Sequence, residues 1–342
     1  MKKVCIIGHF GFGENLLNGQ TIKTKIVTME LEKQLGNFQV IKIDTHGGIK
    51  MLPLIIINVI KAFKISENII ILPAHNGIKI FVPLCNFMNI FYKRKLHYVV
   101  IGGWLNKFLN THKYLEKKLK RFNGIYVETN GMKKNLIDKG FVNIYVMPNF
   151  KNIKILNINE LFYNNEEPFH LCTFSRVMKE KGIKEAIEAV KKINLKYNRE
   201  VFTLDIYGQI ENNQVDWFND IKSNFPEYVN YKGLIAYDKS TEVLKKYRGL
   251  LFLTYYEGEG FAGTLLDAMA AGVPVIATDW KYNKEIINEN NGIIVPLNNL
   301  SEVLKSLEIC MSENWQSLKI NCITEAEKYL PETAINILID NL

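Results

Sequence analysis

Short apolar runs alternate with segments of helical apolar spacing along the first 150 residues. The runs lack polar alternation, which is typical of parallel strands that are buried on both faces. They predict strands at 4–7, 40–44, 69–72, 98–101, 124–128 and 144–147. Apolar residues spaced by three and four positions predict helices at 22–35, 54–63, 78–91, 108–121 and 132–139. This order predicts an α/β domain with a mainly parallel sheet.

The same pattern starts again after a polar, asparagine-rich segment that ends at Pro168. It predicts strands at 171–174, 202–207, 229–232, 250–253 and 275–278, and helices at 183–193, 216–224, 240–247, 264–271, 301–312 and 315–329. We therefore expect an N-terminal domain at 1–150, a linker at 151–167, a C-terminal domain at 168–325, and a final helix at 326–342 that can pack back on the first domain. Ligands of parallel sheets bind beyond the carboxyl ends of the strands, so the cleft between the domains is the expected site.

The composition argues against several classes of protein. Apolar residues make up 47% of the chain and charged residues 23%, which suffices for two buried cores. The five cysteines are scattered without paired spacing, so we expect reduced thiols and no metal or disulfide framework. Lys3 leads directly into the first strand, so no signal peptide is expected. The longest apolar stretches, 51–60 and 78–92, are shorter than the roughly 20 residues of a membrane span, so no transmembrane helix is expected.

Charge is divided unevenly between the two halves. Residues 1–150 hold 22 lysines and arginines against 8 acids, a balance of +14, whereas residues 151–342 hold 21 against 27, a balance of −6. A basic half favours nucleic acid, a phospholipid surface or a diphosphate-linked substrate, with a solvated basic surface as the alternative. No nucleic-acid-binding motif accompanies the charge, so we expect no nucleic acid. Basic residues crowd 113–121 and 93–95, the latter directly after an apolar segment, which favours an anionic membrane surface.

The stretch richest in chemistry is the loop before the predicted helix at 264–271. It contains Gly258, Gly260 and Gly263. Glycines let the backbone approach a ligand closely, and the exposed amides of a helix N-terminus bind phosphate. The loop is therefore a candidate site for a phosphorylated ligand.

Two acids, Glu259 and Asp267, flank this loop with seven residues between them. They would repel a phosphate unless they bind hydroxyls, which a sugar and a ribose both offer in pairs. Each acid also has a structural interpretation. Glu259 fits an exposed loop acid, and Asp267 fits the third residue of a capping box that begins at Thr264. The residues alone leave these alternatives open.

Several motifs, taken together, resemble those of glycosyltransferase family 4. The segment from Glu259 to Asp267 resembles the E-x7-E region of that family, and A-M-A-A-G-V-P-V-I-A at 268–277 resembles its continuation. Arg176 with Lys181 five residues later resembles the G-R-x-x-x-x-K-G motif. The segment that ends at Asn149 resembles the strand and the P-N pair that precede the family's linker. The matches run in the family's order over about residues 4–295. The segments 18–21, 101–104 and 127–130 look like the bacterial branch that builds capsular and lipid-linked surface polysaccharides.

The resemblance implies the GT-B fold, an α/β architecture of two Rossmann-like domains whose parallel sheets face a central cleft. It implies a retaining glycosyltransferase whose donor is a nucleotide-diphosphate sugar. No metal or other cofactor is expected, because basic residues and helix amides stabilise the leaving diphosphate. The catalytic residues would be Glu259 on the sugar hydroxyls, with Arg176 and Lys181 at the cleft surface as a clamp on the diphosphate. The donor-binding residues would be Gly11, Gly13, Gly208, Gly260, Phe261, Ala262, Gly263, Thr264, Leu265 and, on the ribose, Asp267.

The resemblance also implies a saccharide acceptor linked to a polyprenyl diphosphate. The protein would then be cytoplasmic and peripheral on the inner face of the cell membrane. The acceptor-side residues would be His9, Gln20, Gly102, Gly103 and Asn130.

Three positions depart from the family pattern. Asp267 stands where glutamate is usual, so its reach is one methylene shorter. Ser175 stands where glycine is common, and Gly102 follows a strand after which many members carry a histidine near the donor sugar.

Other functions fit the pattern less well. A dinucleotide-dependent dehydrogenase would need a G-x-G-x-x-G loop, whereas Gly8, Gly11 and Gly13 are spaced differently. A sugar-nucleotide epimerase, an inverting transferase and a non-catalytic sugar-nucleotide-binding protein remain alternatives.

Overall fold

Two parallel six-stranded sheets organise the chain in the computed structural model, which describes residues 3–14, 19–163 and 165–342. The first unit comprises Met1–Lys151 and Leu330–Leu342, and the second comprises Asn152–Tyr329. Asn18 of the segment at 18–21 lies outside the described residues. In the described ranges, no helix is both long and apolar enough to cross a membrane.

The first unit holds a sheet of strand order β2-β1-β3-β4-β5-β6. Its strands are β1 (Val4–Gly8), β2 (Val40–Asp44), β3 (Asn68–Ile71), β4 (Lys95–Val99), β5 (Gly124–Val127) and β6 (Ile144–Val146). Its helices are α1 (Gly19–Leu35), α2 (Gly48–Ile65), α3 (His75–Tyr92), α4 (Leu105–Thr111), α5 (Lys113–Leu119) and α6 (Asn130–Ile137). All pairings between these strands are parallel, as the unbroken apolar runs predict. Val4 of β1 lies beside Val40 of β2 and Asn68 of β3.

The chain end completes the core of the first unit. Two short helices follow residue 330, α13 (Pro331–Ala334) and α14 (Asn336–Ile339), and the first of them packs on α1. Ile335 and Leu338 are buried in the same cluster as Val4 and Ile6 of β1.

The predicted helix at 108–121 is wrong in one respect, because α4 and α5 are separate helices that break at His112. In a continuous helix the amide of His112 would donate to the carbonyl of Phe108. The side chains of Thr111 and His112 contact that carbonyl instead, at 3.1 and 2.9 Å. The His112 amide donates to Leu109, so the turn tightens and the helix ends.

The second unit holds a sheet of strand order β12-β11-β10-β7-β8-β9, again parallel. Its strands are β7 (Phe169–Phe174), β8 (Phe202–Tyr207), β9 (Val229–Gly233), β10 (Gly249–Phe252), β11 (Val275–Thr278) and β12 (Gly292–Val295). Its helices are α7 (Ile183–Tyr197), α8 (Val215–Lys222), α9 (Ser240–Leu244), α10 (Gly263–Ala270), α11 (Leu300–Met311) and α12 (Glu313–Glu327). The sequence pattern missed β12, a four-residue edge strand that follows an asparagine-rich loop.

Two buried clusters, one containing Ile183 and Trp315 and the other Leu265 and Met269, form the core of this unit. The segment before Pro168 also packs here, since Leu156 is buried and its amide donates to Ala270. All five cysteines are buried free thiols.

Candidate functional site

The carboxyl edge of the second sheet gathers the predicted catalytic and donor residues of the second unit. Arg176 lies in the loop after β7, Gly208 directly follows β8, and Glu259 lies in the loop between β10 and α10. Carboxyl ends of parallel strands meet at one edge, where open α/β sheets bind their ligands. Residues that are up to 83 positions apart in the chain therefore share one edge.

A buried ion pair joins two of the predicted catalytic residues. Lys181 Nζ lies 2.6 Å from Glu259 Oε2, and the two side chains are only 10% and 8% exposed. Thr254 Oγ1 lies 3.0 Å from the same carboxylate oxygen. Lys181 is thus more enclosed than a residue on an open surface, because its partner Glu259 is itself buried and holds the ammonium close.

A glycine positions Lys181 against the end of β10. Lys181 closes a short 3₁₀ turn, and Gly182 follows with a φ of 72°. A Cβ at Gly182 would lie 2.2 Å from the carbonyl oxygen of Leu253, so only glycine lets this turn pack so closely. The Lys181 ammonium lies 5.1 Å from the centre of the Tyr256 ring.

Arg176 contacts the same aromatic ring from a more exposed position. Its guanidinium carbon lies 5.6 Å from the Tyr256 ring centre, and Nη1 lies 2.7 Å from Glu211 Oε2. The Arg176 side chain is 53% exposed, so this ion pair is screened by solvent and easily exchanged for an anionic ligand. Tyr256 thus brings the two cations of the predicted clamp together, a role that the sequence motifs did not indicate.

Helix α10 begins at Gly263, after the glycine-rich loop of Gly260, Phe261 and Ala262. Ala262 is the N-cap residue and has no side chain that can accept from the first amides of the helix. The capping-box interpretation is wrong, because Thr264 is inside the helix and its hydroxyl donates to the Phe174 carbonyl at 2.6 Å. Leu265 is fully buried, and its amide donates to the Ala262 carbonyl at 3.0 Å, so the predicted donor contact of Leu265 is wrong.

Asp267 lies one turn into α10 and is 2% exposed. Its Oδ1 accepts from Ser240 Oγ of α9 at 2.8 Å. The acid is therefore neither a surface residue nor a cap, and Ser240 fixes its orientation.

Gly208 lies where the loop after β7 crosses the end of β8. Its φ is 135°, and a Cβ there would lie 1.7 Å from the Ser175 carbonyl oxygen, beside Arg176. A side chain at this position would displace the Arg176 loop.

We expect Gly208→Ala to lower the free energy of unfolding by about 3 kcal/mol or more, because the clash involves two backbones. Gly233 ends the neighbouring strand with a φ of 76° and has nothing within 4 Å of its Cβ position, so Gly233→Ala should lower it by only about 1 kcal/mol. Urea denaturation of the two variants checks this, and equal losses would contradict it.

A pocket of about 480 Å³ lies beside this centre on the second unit. It is lined by Glu180, Tyr255, Tyr256, Glu257, Trp280, Leu297 and Asn298. The Trp280 indole donates to the Tyr256 carbonyl at 2.8 Å, which fixes the loop that carries Glu259.

In the first unit, the predicted residues also lie at the carboxyl edge of their sheet. His9, after β1, contacts Thr21 Oγ1 at 2.7 Å and His46 at 3.2 Å. Gln20 donates to the Leu72 carbonyl at 3.3 Å, and Asn130 is the first residue of α6. Gly102, with a φ of 79°, and Gly103 form the bend between β4 and α4.

Asp44, which the sequence motifs did not single out, orders the loop of Gly11 and Gly13. Both glycines have positive φ, at 62° and 88°. The Asp44 carboxylate accepts from the amides of Phe10 and Phe12 at 2.9 and 2.8 Å. Burial raises the pKa of Asp44, but the backbone amides outweigh it and hold the pKa below its ordinary value.

Lys23 of α1 is buried, and sequence reasoning also missed it. Its ammonium donates to Asn149 Oδ1 at 3.1 Å and lies 3.6 Å from the Phe150 ring centre. Burial lowers the pKa of Lys23 from 10.5 to about 7, although the carboxylate of Glu128 opposes the shift.

The lowered pKa makes stability depend on pH. Between pH 7 and 10.5 the unfolded chain binds a proton at Lys23 that the folded chain has lost, so stability rises with pH in that window. We expect Lys23→Met to flatten this rise in urea denaturation. Lys25→Met, on the exposed side of the same helix, should preserve it. An unchanged slope in Lys23→Met would contradict the assignment.

Among the residues that the structure describes, no group of three or more His, Cys, Asp or Glu side chains is arranged to hold a metal ion.

Known structures of similar architecture define the class of fold. HepE from Anabaena, solved with UDP, matches 99% of this chain and 98% of its own, with a TM-score of 0.74 and 15% sequence identity. TarM matches 80% of this chain and 54% of its own, with a TM-score of 0.63 and 21% identity. These are GT-B glycosyltransferases, so the predicted α/β class and GT-B fold are confirmed.

The family described as glycosyl transferases group 1 matches residues 158–329, half of the chain. The chain belongs to this family. The GtfA subunit of the UDP-N-acetylglucosamine–peptide N-acetylglucosaminyltransferase of Streptococcus agalactiae is 29% identical over 196 residues, 55% of this chain and 37% of that protein. The poly(ribitol-phosphate) alpha-N-acetylglucosaminyltransferase of Staphylococcus aureus is 24% identical over 237 residues, 67% of this chain and 45% of that protein. The chain thus spans less than half the length of these curated relatives.

Proposed function

We propose that the protein is a retaining glycosyltransferase of family 4 that takes its sugar from a nucleotide-diphosphate sugar. The observation that carries this proposal is the buried pair of Lys181 and Glu259 beside the N-terminus of α10. Arg176 lies near the same Tyr256 ring as Lys181 does. Cations and free helix amides suit a diphosphate, and a carboxylate suits sugar hydroxyls.

The residues of the second unit divide the work as follows. Arg176 exchanges Glu211 for the diphosphate, and Lys181 adds a second positive charge as the sugar–phosphate bond breaks. Glu259 accepts from the hydroxyls of the transferred sugar. The amides of Gly263 and Thr264 face the phosphates, and the helix dipole stabilises the negative charge that develops on the leaving group.

Asp267 keeps its proposed role as an acceptor for the ribose hydroxyls. Because it is 2% exposed, only a small part of its carboxylate is within reach of a ligand. Ser240, which donates to Oδ1, would hold the carboxylate in a fixed orientation toward the ribose.

For the acceptor we propose a saccharide on a polyprenyl diphosphate, in the synthesis of a bacterial capsular or other surface polysaccharide. The basic balance of the first unit supports an anionic acceptor and an anionic membrane surface on the cytoplasmic side. His9, Gln20, Gly102, Gly103 and Asn130 would lie on this side of the reaction.

A donor screen with product analysis tests the proposal. TarM has been solved with UDP and alpha-GlcNAc-glycerol, and GtfA with UDP and GlcNAc, so UDP sugars are the first candidates, followed by GDP and dTDP sugars. Incubation with a lipid-diphosphate saccharide should give a glycoside that keeps the anomeric configuration of the donor, as read from the NMR coupling of the anomeric proton. An inverted product, an epimerised donor or binding without turnover would each contradict the proposal.

We also expect transfer to continue in excess EDTA, because the two cations and the helix amides neutralise the leaving diphosphate. The measurement is the initial rate before and after chelation. Loss of transfer that Mg²⁺ or Mn²⁺ restores would contradict this account of the leaving group.

A further inference from the structure

Helices α2 and α3 present a broad apolar surface to solvent. Both connections, β2 to β3 and β3 to β4, run in the same direction across the sheet, so right-handed crossovers place the two helices on one face. The helices also pack against each other. Eight large apolar side chains on them are 38–66% exposed: Met51, Leu54, Ile57, Ile65, Ile80, Phe87, Ile90 and Phe91. We call this set the α2–α3 face.

Helix α3 is apolar on two sides. One stripe, which includes Phe81 and Cys85, is buried in the first unit. A second stripe contains Ile80, Phe87 and Phe91, which are spaced by seven and four residues and so lie on one solvent-facing side. A helix that is apolar on its outer side as well as its inner side indicates a further contact surface.

The charge of the α2–α3 face restricts what can cover it. Neither helix contains an aspartate or a glutamate, whereas Lys50, Lys61, Lys64 and Lys79 are all exposed. A second copy packed face to face would oppose lysine with lysine and offer no acid to pair with them. An anionic lipid surface supplies both an apolar layer and negative charge.

Four cations of the basic clusters that the sequence indicated at 93–95 and 113–121 are engaged within the fold. Lys113 and Lys120 both pair with Glu116, at 3.0 and 2.9 Å. The Arg94 guanidinium donates to the carbonyls at the end of α2, and Lys95 donates to the carbonyl of Leu342. These four cations already bind groups of the fold, which favours the lysines of α2 and α3 as the contacts with a membrane.

We propose that the α2–α3 face docks on an anionic lipid bilayer, with Phe87, Ile90 and Phe91 entering the boundary between headgroups and acyl chains. The inference deepens the proposed function, since it names the surface that brings the enzyme to a lipid-linked acceptor. The helices lie along the membrane, and their lysines meet the phosphates of the headgroups.

Vesicle sedimentation tests the docking face. Wild-type protein should bind vesicles of equal parts phosphatidylcholine and phosphatidylglycerol, and Phe87→Ser/Phe91→Ser should weaken the partition by at least about 10-fold. Both positions are exposed, so thermal unfolding should be unchanged. The matched control is Leu195→Ser/Ile309→Ser, which removes two exposed apolar side chains from the second unit and should bind like wild type.

A second comparison separates the charge from the apolar contact. Lys61→Glu/Lys79→Glu should lose binding to the anionic vesicles, and wild type should bind pure phosphatidylcholine weakly.

Equal binding by wild type and the Phe87→Ser/Phe91→Ser variant would overturn the proposal. So would a wild-type dimer, seen in light scattering, that this variant splits. UDP binding by each variant is measured in parallel. If it persists while docking fails, only the docking inference falls. If vesicles bind but no nucleotide does, the proposed function falls instead.

Discussion

Replacing Lys181 by alanine is expected to lower the rate of sugar transfer by at least about 100-fold, on the order of 3 kcal/mol of transition-state stabilisation. The ammonium lies 2.6 Å from Glu259, the residue proposed to bind the sugar. The same change leaves a buried carboxylate without its ion-pair partner, so the free energy of unfolding should also fall by about 3 kcal/mol. Steady-state kinetics and urea denaturation measure the two effects.

Arg176→Ala is the matched comparison, because Arg176 is exposed where Lys181 is buried. It should lower transfer to a similar degree but change the free energy of unfolding by less than about 0.5 kcal/mol. The double variant Lys181→Ala/Glu259→Gln should recover stability, since no unpaired charge stays buried, and should remain inactive. Normal turnover by both single variants would contradict the clamp.

Glu259→Gln is expected to lower transfer by about 100- to 1,000-fold while sparing the binding of UDP. The side-chain amide of the glutamine has only one acceptor atom for the sugar hydroxyls, whereas the carboxylate has two. Free UDP carries no sugar to be transferred, so its binding does not depend on Glu259. Asp267→Asn should weaken UDP binding as well as transfer, because its acceptor faces the ribose. Calorimetry with UDP and initial rates check both variants.

Glu188→Gln serves as the control for these acids, since Glu188 is an exposed residue of α7 that pairs with its helix neighbour Lys192. It should leave transfer and UDP binding unchanged. Loss of UDP binding in Glu259→Gln, with normal binding in Asp267→Asn, would reverse the proposed division between sugar and ribose.

The order of strands and helices could be predicted from the sequence because apolar runs and helical spacing are local signals. The break at His112 could not, since it depends on side chains that occupy one carbonyl. The edge strand β12 was missed because four residues carry too short a pattern.

Motifs predicted which residues meet at the second sheet, but not how they meet. The pairing of Lys181 with Glu259 joins positions 78 residues apart, and its burial depends on the packing of Gly182 against Leu253. The bond from Thr264 to Phe174 replaces the local cap that its sequence suggests, since a tertiary partner outcompetes a local one. The burial of Lys23 leaves no mark in the local sequence either.

Calorimetric titration with UDP tests the central claim most directly, namely that the edge of the second sheet around Arg176 and Lys181 binds the diphosphate of the donor. The account predicts one saturable site in the wild-type protein and at least about 100-fold weaker binding in the double variant Arg176→Ala/Lys181→Met. The folded state of the variant is verified by circular dichroism. Full-strength UDP binding by the folded variant would contradict the account.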